Sequence, residues 1–381
     1  MIFSSLKALK NKFFPTVILL SFATVVLIFV QTFRKAFRPV GYDFTCYLNS
    51  SKDFFEGKNP YTIEGVFPFI YPQFFDVIIY PFTFLPYWLA VFLWIIITYF
   101  SLFFTIKILL KIFDSAKSDF KNTLIYFSVI NLLMFAILQD NFLNGQVNIL
   151  LLFICTLFLK SLLKDNILLA SLYLAIAISI KLTPAILLFF LLFGRNYKAF
   201  FLTSVLSIVF VIGLPYLITK EKSLEYYKYY LDTFILHRTA GEHEVTGFSL
   251  TYFFSFINPD IAIFLSVFIM LVLNFWNQMC SKIENIAVRK TILFSLYLIS
   301  ILLISPMSEG HHLILILPAY LFLLNLIVKN PNKLLVGSFL AVTFFLLVFK
   351  KIDFLVFITI LILYFTITKL NIERQLNNKA L

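Results

Sequence analysis

Charged side chains are scarce in this sequence. Asp, Glu, Lys and Arg make up 13% of its 381 residues, about half of the roughly 25% usual in soluble domains. That share argues against a soluble globular protein. Glycine is rare too, with 10 residues, which excludes collagen-like and glycine-rich chains. The cysteines number three. Cys46 falls in a loop, Cys155 inside a helix and Cys280 near the opposite face, so no disulfide framework is implied. Runs such as Ile149–Phe158 do not alternate between apolar and polar residues, which excludes a transmembrane β-barrel. A basic patch is also missing. The net charge is +12, yet Lys and Arg stand singly between apolar segments, so nucleic acid is not an expected partner.

What is present is apolar. Hydrophobic residues make up 61% of the chain, with 50 Phe. Apolar stretches long enough to cross hydrocarbon recur from end to end, which predicts an all-α polytopic membrane protein. The expected spans cover 14–33, 87–112, 122–139, 146–162, 166–181, 184–193, 198–218, 260–280, 290–305, 310–328, 333–349 and 352–369. Lys7, Lys10 and Lys12 precede the first span without a small-residue cleavage site after it, which reads as an uncleaved span. We read residues 1–381 as one integral membrane domain, with the bundle at 14–370 and two long connecting loops at 34–86 and 219–259.

Segments 166–181 and 184–193 meet at Lys181-Leu182-Thr183-Pro184. They form either a hairpin of short helices or one kinked helix, since proline disfavours helix at the preceding residue. Charge favours the hairpin. With a cytoplasmic N-terminus it gathers Lys107, Lys111, Lys160, Lys164, Arg195, Lys282, Arg289 and Lys329 on the inner side. The short outer loops then hold only Lys181, Lys350 and Lys351, as the positive-inside rule requires. Both termini are cytoplasmic in this topology, and both long loops are outside.

Polar residues beside apolar spans are costly, so they mark function more often than in water. Here they cluster on the outer side. Asp43 follows span 1. Asp140, Asn141, Asn144, Gln146 and Asn148 make the turn between spans 3 and 4. Lys181 sits at the hairpin tip, and His311-His312 follow Ser305-Pro306. Each has a plainer reading. Asp43 is a solvated loop carboxylate or a partner for Arg38, Asn144-Gly145-Gln146 a simple turn, and Lys181 a snorkelling cation. The His pair is interfacial packing, and a metal site would need further ligands. Glu242, His243 and Glu244 read best as solvated loop.

The order of these islands resembles glycosyltransferase family 87. The matching stretches are Gly41-Tyr42-Asp43-Phe44, Tyr47, Gly57-Lys58-Asn59-Pro60-Tyr61, Tyr71-Pro72, Pro81, Leu85-Pro86 and Trp94. Gly145-Gln146-Val147-Asn148, Lys181-Leu182-Thr183-Pro184, Ser305-Pro306 and His311-His312 follow. The likeness runs from about residue 40 to about 320. It departs from the family pattern at Gln73, where a second proline is usual, and at Gly247-Phe248-Ser249, where a more polar stretch is usual. The resemblance implies a GT-C architecture of 11–12 spans and a hexosyltransferase using a polyprenyl-phosphate sugar, similar to the phosphatidylinositol-mannoside mannosyltransferase type. It implies transfer of a mannose-like hexose to a lipid or glycan acceptor, in the bacterial inner membrane and on its extracytoplasmic face. Asp43 matches the catalytic aspartate of the first loop.

On that reading Asp43 is the general base. Lys181, His311, His312 and Arg238 are the expected groups for the donor phosphate, with Gln146, Asn148 and Tyr71 beside its sugar. No cofactor and no metal are expected, the lipid-linked donor being a substrate; the expected partners are the donor, the acceptor and membrane lipids. Two rivals stand beside this reading. A transporter or lipid flippase should show repeats and charges near the midplane of broken helices, and neither is evident. A non-catalytic member of an envelope-polymer pathway would have no need to keep Asp43, Lys181 and the His pair.

Overall fold

The computed structural model describes residues 4–38, 42–62, 68–113, 119–236, 246–329, 332–348 and 352–373. They are almost wholly helical. Helix α1 (Ser4–Ala36) leads to a first connecting segment built from α2 (Asp43–Phe55), α3 (Phe74–Ile79) and a 3-10 turn, Tyr80–Phe84. Helices α4 (Tyr87–Phe113), α5 (Phe120–Leu133), α6 (Phe135–Asn144), α7 (Asn148–Leu163), α8 (Ile167–Ile180), α9 (Leu187–Phe193), α10 (Tyr197–Ile208) and α11 (Leu214–Thr219) follow. A second connecting segment holds α12 (Glu221–Tyr230), a two-residue strand β1 (Thr246–Gly247) and α13 (Leu250–Ser255). The chain continues through α14 (Pro259–Met279), α15 (Ile286–Ile304) and strand β2 (Met307–Ser308). The 3-10 helix Gly310–Ile316 then runs into α16 (Leu317–Lys329), followed by α17 (Lys333–Val348) and α18 (Asp353–Ile372). The strands β1 and β2 pair in parallel, which ties the second segment to the Ser305-Pro306 corner.

Local chemistry sets the helix starts. Side chains of Asp119, Asn166, Asn258 and Asn285 accept from backbone N–H groups of their own first turns, which satisfies donors that the helix leaves unpaired. Helix α14 adds Pro259 in its first turn, where a missing N–H costs nothing.

Among the described residues, seven stretches are long and apolar enough to cross a membrane: Pro15–Ala36, Tyr87–Phe113, Tyr197–Thr219, Pro259–Met279, Ile286–Ile304, Gly310–Lys329 and Asp353–Ile372. The remaining expected spans are shorter or bent. Helices α5 and α6 meet at an angle of 83°, and Asn148–Leu163, Ile167–Ile180, Thr183–Phe193 and Leu335–Val348 fall below crossing length. Between α8 and α9 the backbone is extended at Lys181. Helix α8 packs along α7 and α10, whereas α9 packs on α10, α14 and α15.

Burial orders the bundle. Of the most apolar window, 78% is buried in Ile286–Ile304 and in Gly310–Lys329, against 17% in Pro15–Ala36 and in Tyr197–Thr219. The first pair is therefore the centre and the second the rim. The rim helices turn Leu19, Phe22 and Phe201 outward, and α14 turns out Phe264, an apolar outer surface that suits lipid and not water. Polar bonds tie the centre together. Asn274 Nδ2 donates to Ser300 Oγ at 2.8 Å, and Tyr364 OH donates to Asn274 Oδ1 at 3.1 Å, the kind of link that substitutes for hydrophobic drive between helices in lipid.

Candidate active site

Asp43 is the first residue of α2, with Tyr42 as its N-cap. The start of a helix carries partial positive charge and suits a carboxylate. An aromatic layer fixes α2. Phe44 stacks on Trp94 with ring centroids 4.7 Å apart, and Tyr47 packs edge-on to Tyr71 and Phe75. Trp94 Nε1 in turn donates to the carbonyl of Gly145 at 3.0 Å. The Asp43 helix is thereby registered against the turn between α6 and α7.

That turn carries three amides on alternate residues, and each meets a different charged group. Asn144 Oδ1 accepts from Lys35 Nζ at 2.7 Å. Gln146 Nε2 donates to Asp43 Oδ2. Asn148 Oδ1 accepts from Lys181 Nζ at 3.1 Å, while its Nδ2 donates to Gln146 Oε1 at 3.4 Å. An ammonium only donates and a carboxylate only accepts. The path Lys181 to Asn148 to Gln146 to Asp43 therefore has one direction. Gly145 makes this turn. Its φ is +66°, and a Cβ there would lie 2.8 Å from the Tyr42 ring, so glycine is needed for both conformation and space.

Lys181 is the second hub. Its Nζ lies 2.9 Å from His312 Nε2 and 5.7 Å from the centre of the Tyr71 ring, a cation–π geometry. His312 Nδ1 accepts from the backbone N–H of Glu309 at 3.1 Å, which fixes the ring. A water-sized cavity of about 10 Å³ adjoins Lys181 and is edged by Asn148, Thr183, Ser305, Ser308 and His312. His311 faces elsewhere. It is buried, and its Nδ1 lies 3.4 Å from Glu309 Oε2. Asn141 Nδ2 donates to its carbonyl at 2.8 Å.

The electrostatics converge on Asp43. Burial, helped by the charge of Glu309, pushes its carboxyl up to about 7, against opposing pulls from Lys181 and Lys35. Burial penalises the charged form, and nearby cations restore it only in part. A carboxylate poised near neutral pH suits proton abstraction.

Among the expected site residues, the structure brings Asp43, Gln146, Asn148, Lys181, His312 and Tyr71 into one linked group. His311 touches it through Glu309 and its ring contact with His312. Arg238 lies outside the described residues, as do Glu242, His243 and Glu244. Among the described residues, no group of three His, Cys, Asp or Glu side chains is arranged to hold a metal ion. Sequence reasoning missed Lys35 and Glu309. Lys35 sits in the last turn of a long apolar helix beside Arg34, where it reads as a flanking cation. Its spacing of four from Gln31, which places both on one helix face, was the available signal.

No curated protein and no solved structure matches the chain. A family model does, over residues 69–306. The matched region holds Trp94, the α6–α7 turn and Lys181, while Asp43 and the His pair flank it. This stretch covers well over half of the 381 residues, and the chain belongs to glycosyltransferase family 87.

Proposed function

We propose that this glycosyltransferase moves a hexose, mannose-like, from a polyprenyl-phosphate donor to a lipid or glycan acceptor at the extracytoplasmic end of its bundle, in the bacterial inner membrane. The observation that carries the proposal is the hydrogen-bonded path from Lys181 through Asn148 and Gln146 to Asp43. It sets one base beside one cationic group and needs no second carboxylate for the chemistry. A glycosidase requires a general acid because its leaving alcohol must be protonated. A lipid phosphate leaves as a stabilised anion, so one base on the acceptor hydroxyl is sufficient.

In this mechanism Asp43 takes the proton of the acceptor hydroxyl as that oxygen attacks the anomeric carbon. The bond from that carbon to the phosphate oxygen breaks, and its electron pair leaves with the lipid phosphate. Attack in line with the leaving group inverts the anomeric configuration. Lys181 and His312 receive the charge that grows on the phosphate, where a fixed donor acts most strongly. Tyr71 steadies the ammonium through its ring face. Gln146 orients Asp43 and holds one of its oxygens, leaving the other for the acceptor.

The deciding experiment is transfer from a radiolabelled polyprenyl-phosphate hexose to membrane lipids. It compares vesicles carrying the wild type with vesicles carrying Asp43→Ala at equal expression. The wild type is expected to transfer, and the variant to lose roughly 100-fold or more, the usual contribution of a general base. Wild-type rates in both Asp43→Asn and Asp43→Ala would remove Asp43 from this role.

A further inference from the structure

A second polar group lies between α1 and α6, close enough to Asp43 for its Lys35 to act on that carboxyl, and the mechanism above leaves it without a task. Gln31 and Lys35 share one face in the last turns of α1. Opposite them, α6 presents Gln139, Asp140 and Asn144. Gln139 Nε2 donates to Gln31 Oε1 at 2.8 Å, and Lys35 Nζ donates to Asn144 Oδ1 at 2.7 Å. Asn144 Nδ2 donates to Asp140 Oδ1 at 3.1 Å. All five side chains are partly exposed. They line the end of a span that is otherwise apolar, where polar groups are costly and are kept for a use. The fields of Asp43 and Asp140, opposed by that of Arg38, act on the Lys35 ammonium.

Tyr42 adds an independent sign. Its ring end lies against the turn glycine between Asn144 and Gln146. The side chain is 5% exposed, and its hydroxyl is buried with no hydrogen-bond partner among the described residues. Buried hydroxyls are almost always bonded, because an orphan keeps the full cost of its lost hydration. This one sits one residue from the base.

From this arrangement we infer that Tyr42, Lys35, Asn144 and Asp140 form an acceptor subsite, and that the acceptor presents a sugar, a headgroup with neighbouring hydroxyls. The inference rests on the proposed transfer reaction. The chemistry selects the class. A diol both donates and accepts, so it satisfies an ammonium, a carboxylate, an amide and a phenol together. A simple lipid alcohol has one hydroxyl and leaves most of these groups unserved. Charge of one sign does not dominate here, since Asp43 and Asp140 are balanced by Lys35 and Arg38, which suits a neutral polyol. The donor branch presents Lys181 and His312 instead, with Glu309 beside the His pair. Asp43 feels the charge of Lys181 and of Lys35 alike, as a base shared by the two substrates must.

The test is binding, measured without donor. Hexyl mannoside and hexanol are titrated calorimetrically into the purified full-length protein in lipid nanodiscs. The wild type is expected to bind the glycoside at least about tenfold more tightly than the alkanol, and Tyr42→Phe and Lys35→Met each to cut that preference by about tenfold, the value of one hydrogen bond involving a charged or buried group. Both substitutions keep the size of the side chain, so folding is expected to survive. Equal affinity for the two probes, or a preference unchanged in both variants, overturns the subsite. Transfer from the labelled donor, run beside it in wild type and Asp43→Ala, judges the parent reaction separately. The titration contains no donor and stands whichever way that assay falls.

Discussion

At the scale of single residues, the position of Asp43 makes it a pH-dependent group. Its carboxyl is pushed up to about 7 by burial and Glu309, and only the ionised form accepts a proton. Transfer is expected to rise through pH 7 and to level off above it, as a pH–rate profile would show. Gln146 holds the charged form by donating to Asp43. Gln146→Leu removes that bond, so the carboxyl should rise further and the profile move to higher pH, with about a tenfold loss of rate at pH 7. An unmoved profile would detach Gln146 from the base. The same shift has a sign in stability. The folded protein binds this proton more tightly than the unfolded chain, whose carboxyl keeps its ordinary value of 3.8. The stabilisation is fully present below pH 3.8 and is lost as pH rises through about 7. Asp43→Asn should therefore melt higher than wild type at pH 8, by up to about 4 kcal/mol of stability, while losing transfer. Equal melting at pH 8 would place the carboxyl in a wetter setting.

Elements decide which of these side chains meet. The α6–α7 turn presents Asn144, Gln146 and Asn148 to three charged groups because Gly145 adopts φ +66° under the Tyr42 ring. Gly145→Ala should cost about 1–2 kcal/mol from backbone conformation alone, more from the ring contact, and should depress transfer beyond what the loss of folded protein explains. Unchanged specific activity in the folded fraction would mean that the turn is not what aligns the amides. A second joint lies at Gln73, the place where the family likeness breaks. Its backbone N–H donates to Tyr227 OH at 3.2 Å, its Nε2 donates to the Ser223 carbonyl at 3.0 Å, and its Oε1 accepts from Ser223 Oγ at 2.7 Å. Here the two connecting segments are joined by groups that proline lacks. Restoring the family residue with Gln73→Pro should lower stability by about 2–4 kcal/mol, read as a fall in melting temperature. A neutral result would show that α12 docks through its tyrosines alone.

The whole molecule is a membrane bundle whose candidate-site groups gather at one end. We propose from the charge pattern that this end faces outside. A cysteine-free background carrying Lys222→Cys on α12 should label with an impermeant thiol reagent in intact cells, and one carrying Lys164→Cys, after α7, only once the membrane is opened. The reverse pattern would invert the bundle. Much of this was legible in the chain alone. Scarce charge and long apolar runs determine that it is helical and membrane-bound, because a backbone in lipid must bond to itself. The islands at Asp43, Gln146, Asn148, Lys181 and His312 were visible because polar residues stand out among Leu and Phe. Crossing length was less legible. The runs at 146–162 and 333–349 are apolar enough for a span, yet their helices, Asn148–Leu163 and Leu335–Val348, stop short of crossing length, and hydropathy does not see the 83° bend between α5 and α6. What only the tertiary structure decided was the pairing. Lys35 is 109 residues from Asn144, and Lys181 is 131 residues from His312. Composition fixes the medium in which a helix sits, whereas the partner of a polar group depends on how helices pack, and that is a property of distance in space and not along the chain.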